Sequence, residues 1–143
     1  MADSEFQHFV EAQRAVYDQV VAELSQGQKR SHWMWFIFPQ IQGLGHSEMA
    51  QRFALDSVAQ ARRYANHPVL GTRLRQCTQL VVQVEGRKVS EIFGYPDDLK
   101  FHSSTTLFEL AAPEENLFRK VNVKFFGGRQ DAKTLEILGL KEK

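Results

Sequence analysis

The chain has 143 residues, 43% of them apolar and 24% charged, with 18 basic and 17 acidic side chains leaving a net charge of +1. That composition is globular rather than disordered, and a chain of this length buries roughly 70% of the surface it exposes when unfolded. It gives no support to a nucleic-acid binder, because counterion release needs clustered positive charge and the basic residues here are scattered among acids.

The first residues, Met1-Ala2-Asp3-Ser4-Glu5, are acidic and lack the apolar stretch of a secretory signal. No later run reaches the ~18 apolar residues of a membrane span, so the sequence predicts a soluble cytoplasmic protein. From Phe6 to Leu24, apolar residues fall at 6, 9, 10, 16, 17, 20, 21 and 24. Steps of three and four predict one long amphipathic helix, capped by Asp3 or Ser4 and stopped by Gly27. Gln13 lies on or beside the apolar stripe. A partly buried amide needs partners, and a structural hydrogen bond is favoured over a ligand contact.

The most informative stretch is Lys29-Arg30-Ser31-His32-Trp33-Met34-Trp35-Phe36-Ile37-Phe38-Pro39-Gln40, in which six large apolar residues, including both tryptophans, stand in a row. As a strand it would be apolar on both faces and need covering neighbours. The other strand candidate is Leu80 to Val84. A short, deeply buried helix capped by Ser31 and ended by Pro39 is the preferred reading.

Gly43-Leu44-Gly45 reads as a loop, followed by short helices from Ser47 and from Asp56 or Ser57. His67-Pro68 restarts the chain, and the next helix turns Leu70, Leu74, Cys77, Leu80 and Val81 inward. Cys77 is the single cysteine, which excludes an intrachain disulfide and a cysteine-rich zinc site. Its apolar neighbours make it a core thiol. Ser90 to Phe93 makes one turn closed by Gly94, and Pro96-Asp97-Asp98 opens a helix reaching Leu107 or Leu110. Pro113-Glu114-Glu115 opens another, which ends at Gly127-Gly128, and a last helix runs from Asp131 to Leu138. The predicted fold class is all-α: one compact globular domain spanning residues 1–143, with an ordered core over about 5–138 and about eight helices, several of them short.

Common catalytic signatures are missing. Gly43-Leu44-Gly45 lacks the third glycine of a dinucleotide fingerprint, and no phosphate loop or Gly-x-Ser-x-Gly elbow occurs. The histidines at 8, 32, 46, 67 and 102 form no helical metal-binding pair, so neither a metal nor a cofactor is expected.

Two segments carry candidate chemistry. In the first, His32 can act as acid or base near neutral pH, Trp33 can stack on a ring, and Gln40 stands at the other end of the block. The competing reading is a core aromatic cluster with His32 satisfied by a backbone carbonyl. The second runs from Pro96 to Phe108. On a helix, 97, 100/101, 104 and 108 share a face, and Asp98 can pair with His102 four residues on. Lys100, Ser103 and Ser104 form a donor-rich set suited to phosphate or carboxylate. Four consecutive hydroxyl residues, Ser103 to Thr106, are poor helix-interior choices, a local conflict commoner at functional sites. The competing reading is a capped, solvated helix start with back-bonded hydroxyls.

The Trp-rich block, His67-Pro68-Val69-Leu70-Gly71, Asp97-Asp98-Leu99-Lys100 and Ser103-Ser104-x-Thr106-Leu107-Phe108 together resemble a family of small bacterial and fungal proteins of unknown function. Some of its members carry the label calpastatin. That inhibitor is a disordered repeat protein, whereas this composition is globular. The resemblance runs from Phe6 to Leu138 and implies a mainly helical single domain. Lys100, Ser103 and Ser104 match the family pattern. His102 stands where the family more often has arginine, which weakens any mechanism built on an Asp98–His102 pair.

Two functions follow from different classes. In one, the domain binds or processes a small anionic ligand, nucleotide-like or ADP-ribose-like, in a pocket edged by the two segments. Lys100, Ser103 and Ser104 would hold the anion, Trp33 would stack, Gln40 would line the site, and His32 would supply acid–base chemistry. The ADP-ribose suggestion is by analogy with other small helical domains. In the other, the domain is a non-catalytic interaction or structural module.

Overall fold

The computed structural model describes residues 5–141 and is built from helices, with no strand among the described residues. The long first helix of the sequence reading is divided into α1 (Gln7–Arg14) and α2 (Tyr17–Ser25). The break falls in the gap of the apolar stripe between Val10 and Val16. There Val16 leaves the helical region at φ −125°, ψ −3°, and its amide donates to the Gln13 carbonyl at 3.1 Å. Gln13 is buried, and its Nε2 donates to the Phe36 carbonyl at 2.7 Å and to the Tyr64 hydroxyl at 3.1 Å. The caps expected at Asp3 or Ser4 lie outside the described residues.

The Trp-rich block forms only one helical turn, α3 (Met34–Ile37). Ser31 does not cap it, because its hydroxyl donates to Glu23 Oε2 at 2.6 Å instead. Phe38, at φ −124° and ψ 75°, has already left the helix, as the residue before a proline does. Of residues 33–38 all but Trp35 are buried. Phe38 meets Phe101 edge-on at 4.9 Å, and Phe101 stacks on Phe93 at 4.5 Å. Such pairs add about 1 kcal/mol each beyond the area they bury.

Beyond Pro39, the Gln42 and Leu55 amides donate to Leu55 and Gln40 carbonyls at 2.8 and 2.9 Å, an isolated bridge between Ile41 and Leu55. It closes a loop that contains α4 (Glu48–Arg52). Ser47 caps α4 and Ser57 caps α5 (Val58–Ala65), accepting from the Ala50 and Gln60 amides at 3.1 and 3.0 Å. α6 (Leu70–Val82) buries Leu70, Leu74, Cys77 and Val81, so the alternative strand at Leu80 is helix through Val82. Burial pushes the Cys77 thiol up to about 12, that of an unreactive core thiol. At Gly71, α6 approaches α5 so closely that a Cβ would lie 2.1 Å from the Ala65 carbonyl oxygen.

α7 (Val89–Phe93) leads into α8 (Asp97–Ala111), which packs on α5, α7, α9 (Leu117–Phe126) and α10 (Ala132–Leu138) and touches α3. Because neighbours surround it, α8 buries Phe101, Leu107 and Phe108 and also the whole run Ser103 to Thr106. These hydroxyls are therefore not a solvated helix start. Ser103 donates to Asp131 Oδ2 at 3.0 Å, Thr105 donates to Asn122 Oδ1 at 2.8 Å, and Thr106 accepts from the Asp131 amide at 2.9 Å. Asp131 also caps α10, accepting from the Thr134 amide at 3.1 Å and the Thr134 hydroxyl at 2.6 Å.

One carboxylate thus joins α8 to α10. Asp131→Ala is expected to cost about 2 kcal/mol, combining a lost cap with a buried serine left only its Leu99 carbonyl acceptor. Urea denaturation measures it; a loss below about 0.5 kcal/mol, the level of an ordinary surface substitution, would remove that role.

Candidate functional site

The site is assembled where the loop after α2 meets the first turns of α3 and α8. Lys29 is fixed by its backbone amide, which donates to the Ile92 carbonyl of α7 at 2.7 Å. Its side chain is only 7% exposed and reaches Asp97 Oδ2 at 2.8 Å. The Lys29 ammonium also stands 5.1 Å from the Trp33 ring centre. Asp97, the first residue of α8, turns its other oxygen to Lys100 Nζ at 3.3 Å. The Lys100 ammonium in turn stands 5.1 Å from the Trp35 ring centre. Two ammonium groups, each over an indole, share one carboxylate. The Lys100 ammonium, the more open of the two, lies beside a partly exposed aromatic ring.

Glu23 holds the loop in this position. Its Oε1 accepts from the Arg30 amide at 2.7 Å, the Ser31 amide at 3.0 Å and the Trp33 indole N–H at 3.0 Å. Its Oε2 accepts from the Ser31 hydroxyl at 2.6 Å and from Gln19 at 3.0 Å. Burial alone would raise this carboxyl, but the hydrogen bonds from Ser31, Arg30 and Trp33 outweigh it and hold it down at about 2.

The sequence candidates are distributed unevenly about this seam. Trp33 is 1% exposed, and its N–H belongs to Glu23, so the ring within reach of solvent is Trp35. His32 is exposed, and its ring makes no hydrogen bond to a described residue, so the backbone carbonyl expected to satisfy it is not there. Gln40 is half-buried, and its carbonyl accepts from Leu55. Ser103 donates to the Leu99 carbonyl at 3.1 Å and to Asp131, facing α10. Ser104, one turn after Lys100 on the same stripe of α8, is buried with an Oγ that has no hydrogen-bond partner. A buried hydroxyl left so costs about 1–3 kcal/mol and calls for an explanation.

The Asp98–His102 pair does not form. His102 Nε2 donates to the Arg129 carbonyl at 2.8 Å, and the ring stacks on Phe126 at 3.8 Å. Lys29, Asp97 and Trp35 stand in this seam without being among the candidates that the sequence points to. The three-residue spacing of Asp97 and Lys100 was a usable signal. Nothing local reveals Lys29, since its carboxylate lies 68 residues further along the chain.

A separate cleft of about 540 Å³, between α8 and α9, is lined by Glu109, Pro113, Glu115 and Arg119 and by none of the candidates. Its acids are already paired: Glu109 with Asn122 at 2.7 Å, and Glu115 with Arg75 at 2.7 Å. Among the described residues no group of three His, Cys, Asp or Glu could hold a metal ion, and no helix is long and apolar enough to cross a membrane.

Fold and seam together define an all-α domain with an edge bordered by lysine and tryptophan side chains. The chain belongs to the family described as "Protein of unknown function (DUF1810)", which matches residues 3–138. A similar solved structure is that of the conserved hypothetical protein Rv1873 from Mycobacterium tuberculosis. It is 47% identical, with a TM-score of 0.93, over 96% of this chain and 98% of the other. No curated protein matches the chain.

Proposed function

We propose that the domain binds a small anionic ligand at the seam between α3 and the start of α8, with nucleotides and ADP-ribose derivatives as the leading class. The observation that carries this reading is the sharing of Asp97 by two ammonium groups. Lys29 holds the carboxylate at the shorter distance and is nearly enclosed. Lys100 is looser and more open, so its charge is the one available to an incoming phosphate or carboxylate.

In this reading the stacking role expected of Trp33 passes to the partly exposed Trp35. Ser104 contributes a hydroxyl that has no internal competitor. On this reading Gln40 would line the site, Ser103 would support it through Asp131, and His32, exposed on the preceding loop, is the candidate acid or base.

A thermal-shift screen over nucleotides, sugar phosphates and carboxylates tests the reading. At a hundred times its dissociation constant a ligand stabilises by roughly 2.7 kcal/mol. Lys100→Ala is expected to abolish the shift, and binding is expected to change the fluorescence of Trp35 but not that of a Trp35→Phe variant. A ligand that stabilises Lys100→Ala as strongly as the parent protein binds elsewhere, and the assignment then fails.

A further inference from the structure

On the other side of the first turn of α8 lies a cleft of about 440 Å³, bordered by Arg87, Lys88 and Ser90 before and within α7, Asp98 of α8, and Lys124 and Phe125 of α9. Its size falls within the range of small-molecule sites. The charges on its two sides are not paired with each other. The side chains of Arg87, Lys88 and Ser90 make no hydrogen bond or ion pair with any described residue. Asp98 accepts only from the neighbouring Leu99 amide, at 2.9 Å. Opposite charges thus face one cleft without closing on each other.

Lys124 is different. Its ammonium donates to the Val82 and Val84 carbonyls at 2.6 Å each and pairs with Glu85 at 3.5 Å. It ties the end of α6 to α9 and forms a fixed wall, leaving Arg87 and Lys88 as the free cations. Phe125 offers an apolar surface beside them.

We infer that this cleft binds a compact zwitterion, whose anionic end meets Arg87 and Lys88 and whose ammonium meets Asp98. An ion bearing only one of these charges leaves the other half of the cleft unused, so the two ends reinforce each other. The anionic end is a phosphate or a carboxylate, and both satisfy a guanidinium. The inference is independent of the seam, which lies across α8 and uses Asp97 rather than Asp98.

The test is calorimetric titration of the full chain with phosphoethanolamine and with β-alanine, against inorganic phosphate and ethanolamine alone. At least one zwitterion is expected to bind ten times more tightly than either single-charge probe. Phosphoethanolamine leading identifies a phosphate end, and β-alanine leading a carboxylate end. Asp98→Asn and the double variant Arg87→Ser/Lys88→Ser are each expected to weaken that binding at least tenfold, with unchanged melting temperatures in the absence of ligand. Lys100→Ala is expected to leave it within twofold. If neither zwitterion outbinds phosphate, or if Asp98→Asn binds as the parent does, the inference is wrong. If Lys100→Ala abolishes the binding, the ligand sits in the seam and the inference is again wrong.

Discussion

Glu23→Ala is expected to destabilise the protein by about 4 kcal/mol at neutral pH, the range for breaking a buried charged network from one side. Removing the carboxylate leaves the Trp33 indole N–H, two backbone amides and the Ser31 hydroxyl without their acceptor. Glu23→Gln keeps the shape and one good acceptor oxygen, so about 2 kcal/mol is expected. The effect depends on pH in a definite sense. With its carboxyl held at about 2, against 4.5 for an ordinary glutamate, Glu23 contributes roughly 3 kcal/mol. That contribution is complete above the ordinary glutamate range and disappears as the pH falls toward 2. Urea titrations at pH 7, 4 and 2.5 are expected to show parent and Glu23→Gln converging at the acid end. A gap that stays constant over this range would show that the carboxylate's charge has no part in the effect.

Gly71→Ala is expected to cost about 3 kcal/mol, or roughly 10 °C in melting temperature, by overpacking. The new methyl would stand 2.1 Å from the Ala65 carbonyl oxygen and 2.8 Å from its carbon. Both are backbone atoms, so relief requires separating α5 from α6. The same carbonyl accepts from Arg75 Nη1 at 2.6 Å, and the methyl would crowd that nitrogen too, at 2.8 Å. Gly86→Ala is the control: nothing lies within 4 Å of its Cβ position, and only its φ of +75° resists substitution. It is expected to lose about 1 kcal/mol. Equal losses in the two variants would show that crowding at Gly71 is not what matters.

Helix positions were legible wherever caps and breakers are local. Ser47, Ser57 and Asp131 begin helices as their spacing predicts, and Gly94 and Gly127 end them. The break at Val16 was visible as a gap in the apolar stripe, yet periodicity alone runs across such a gap. Ser31 shows the limit of local chemistry. It has the composition of a cap, but an acceptor on α2 takes its hydroxyl. The hydroxyl run of α8 reads in sequence as a conflict that points to ligand or solvent, whereas Ser103, Thr105 and Thr106 bond with residues 122–131. Long-range partners of this kind leave no periodic trace. The meeting of the Trp-rich block with Asp97 and Lys100 was anticipated only as two segments edging one pocket. The residues that join them, Lys29 and Trp35, emerge only once the chain is folded.

The hydroxyl run of α8 has a further consequence for alignment. An apolar helix surface tolerates sliding by a turn, since one greasy contact replaces another. Here α9 is keyed to Thr105 through Asn122, and α10 to Ser103 and Thr106 through Asp131. A slip of either helix by one turn would strand these groups, at about 1–3 kcal/mol for each. α8 is thereby indexed along its axis like a notched shaft, and the turn that presents Asp97 and Lys100 inherits that fixed height.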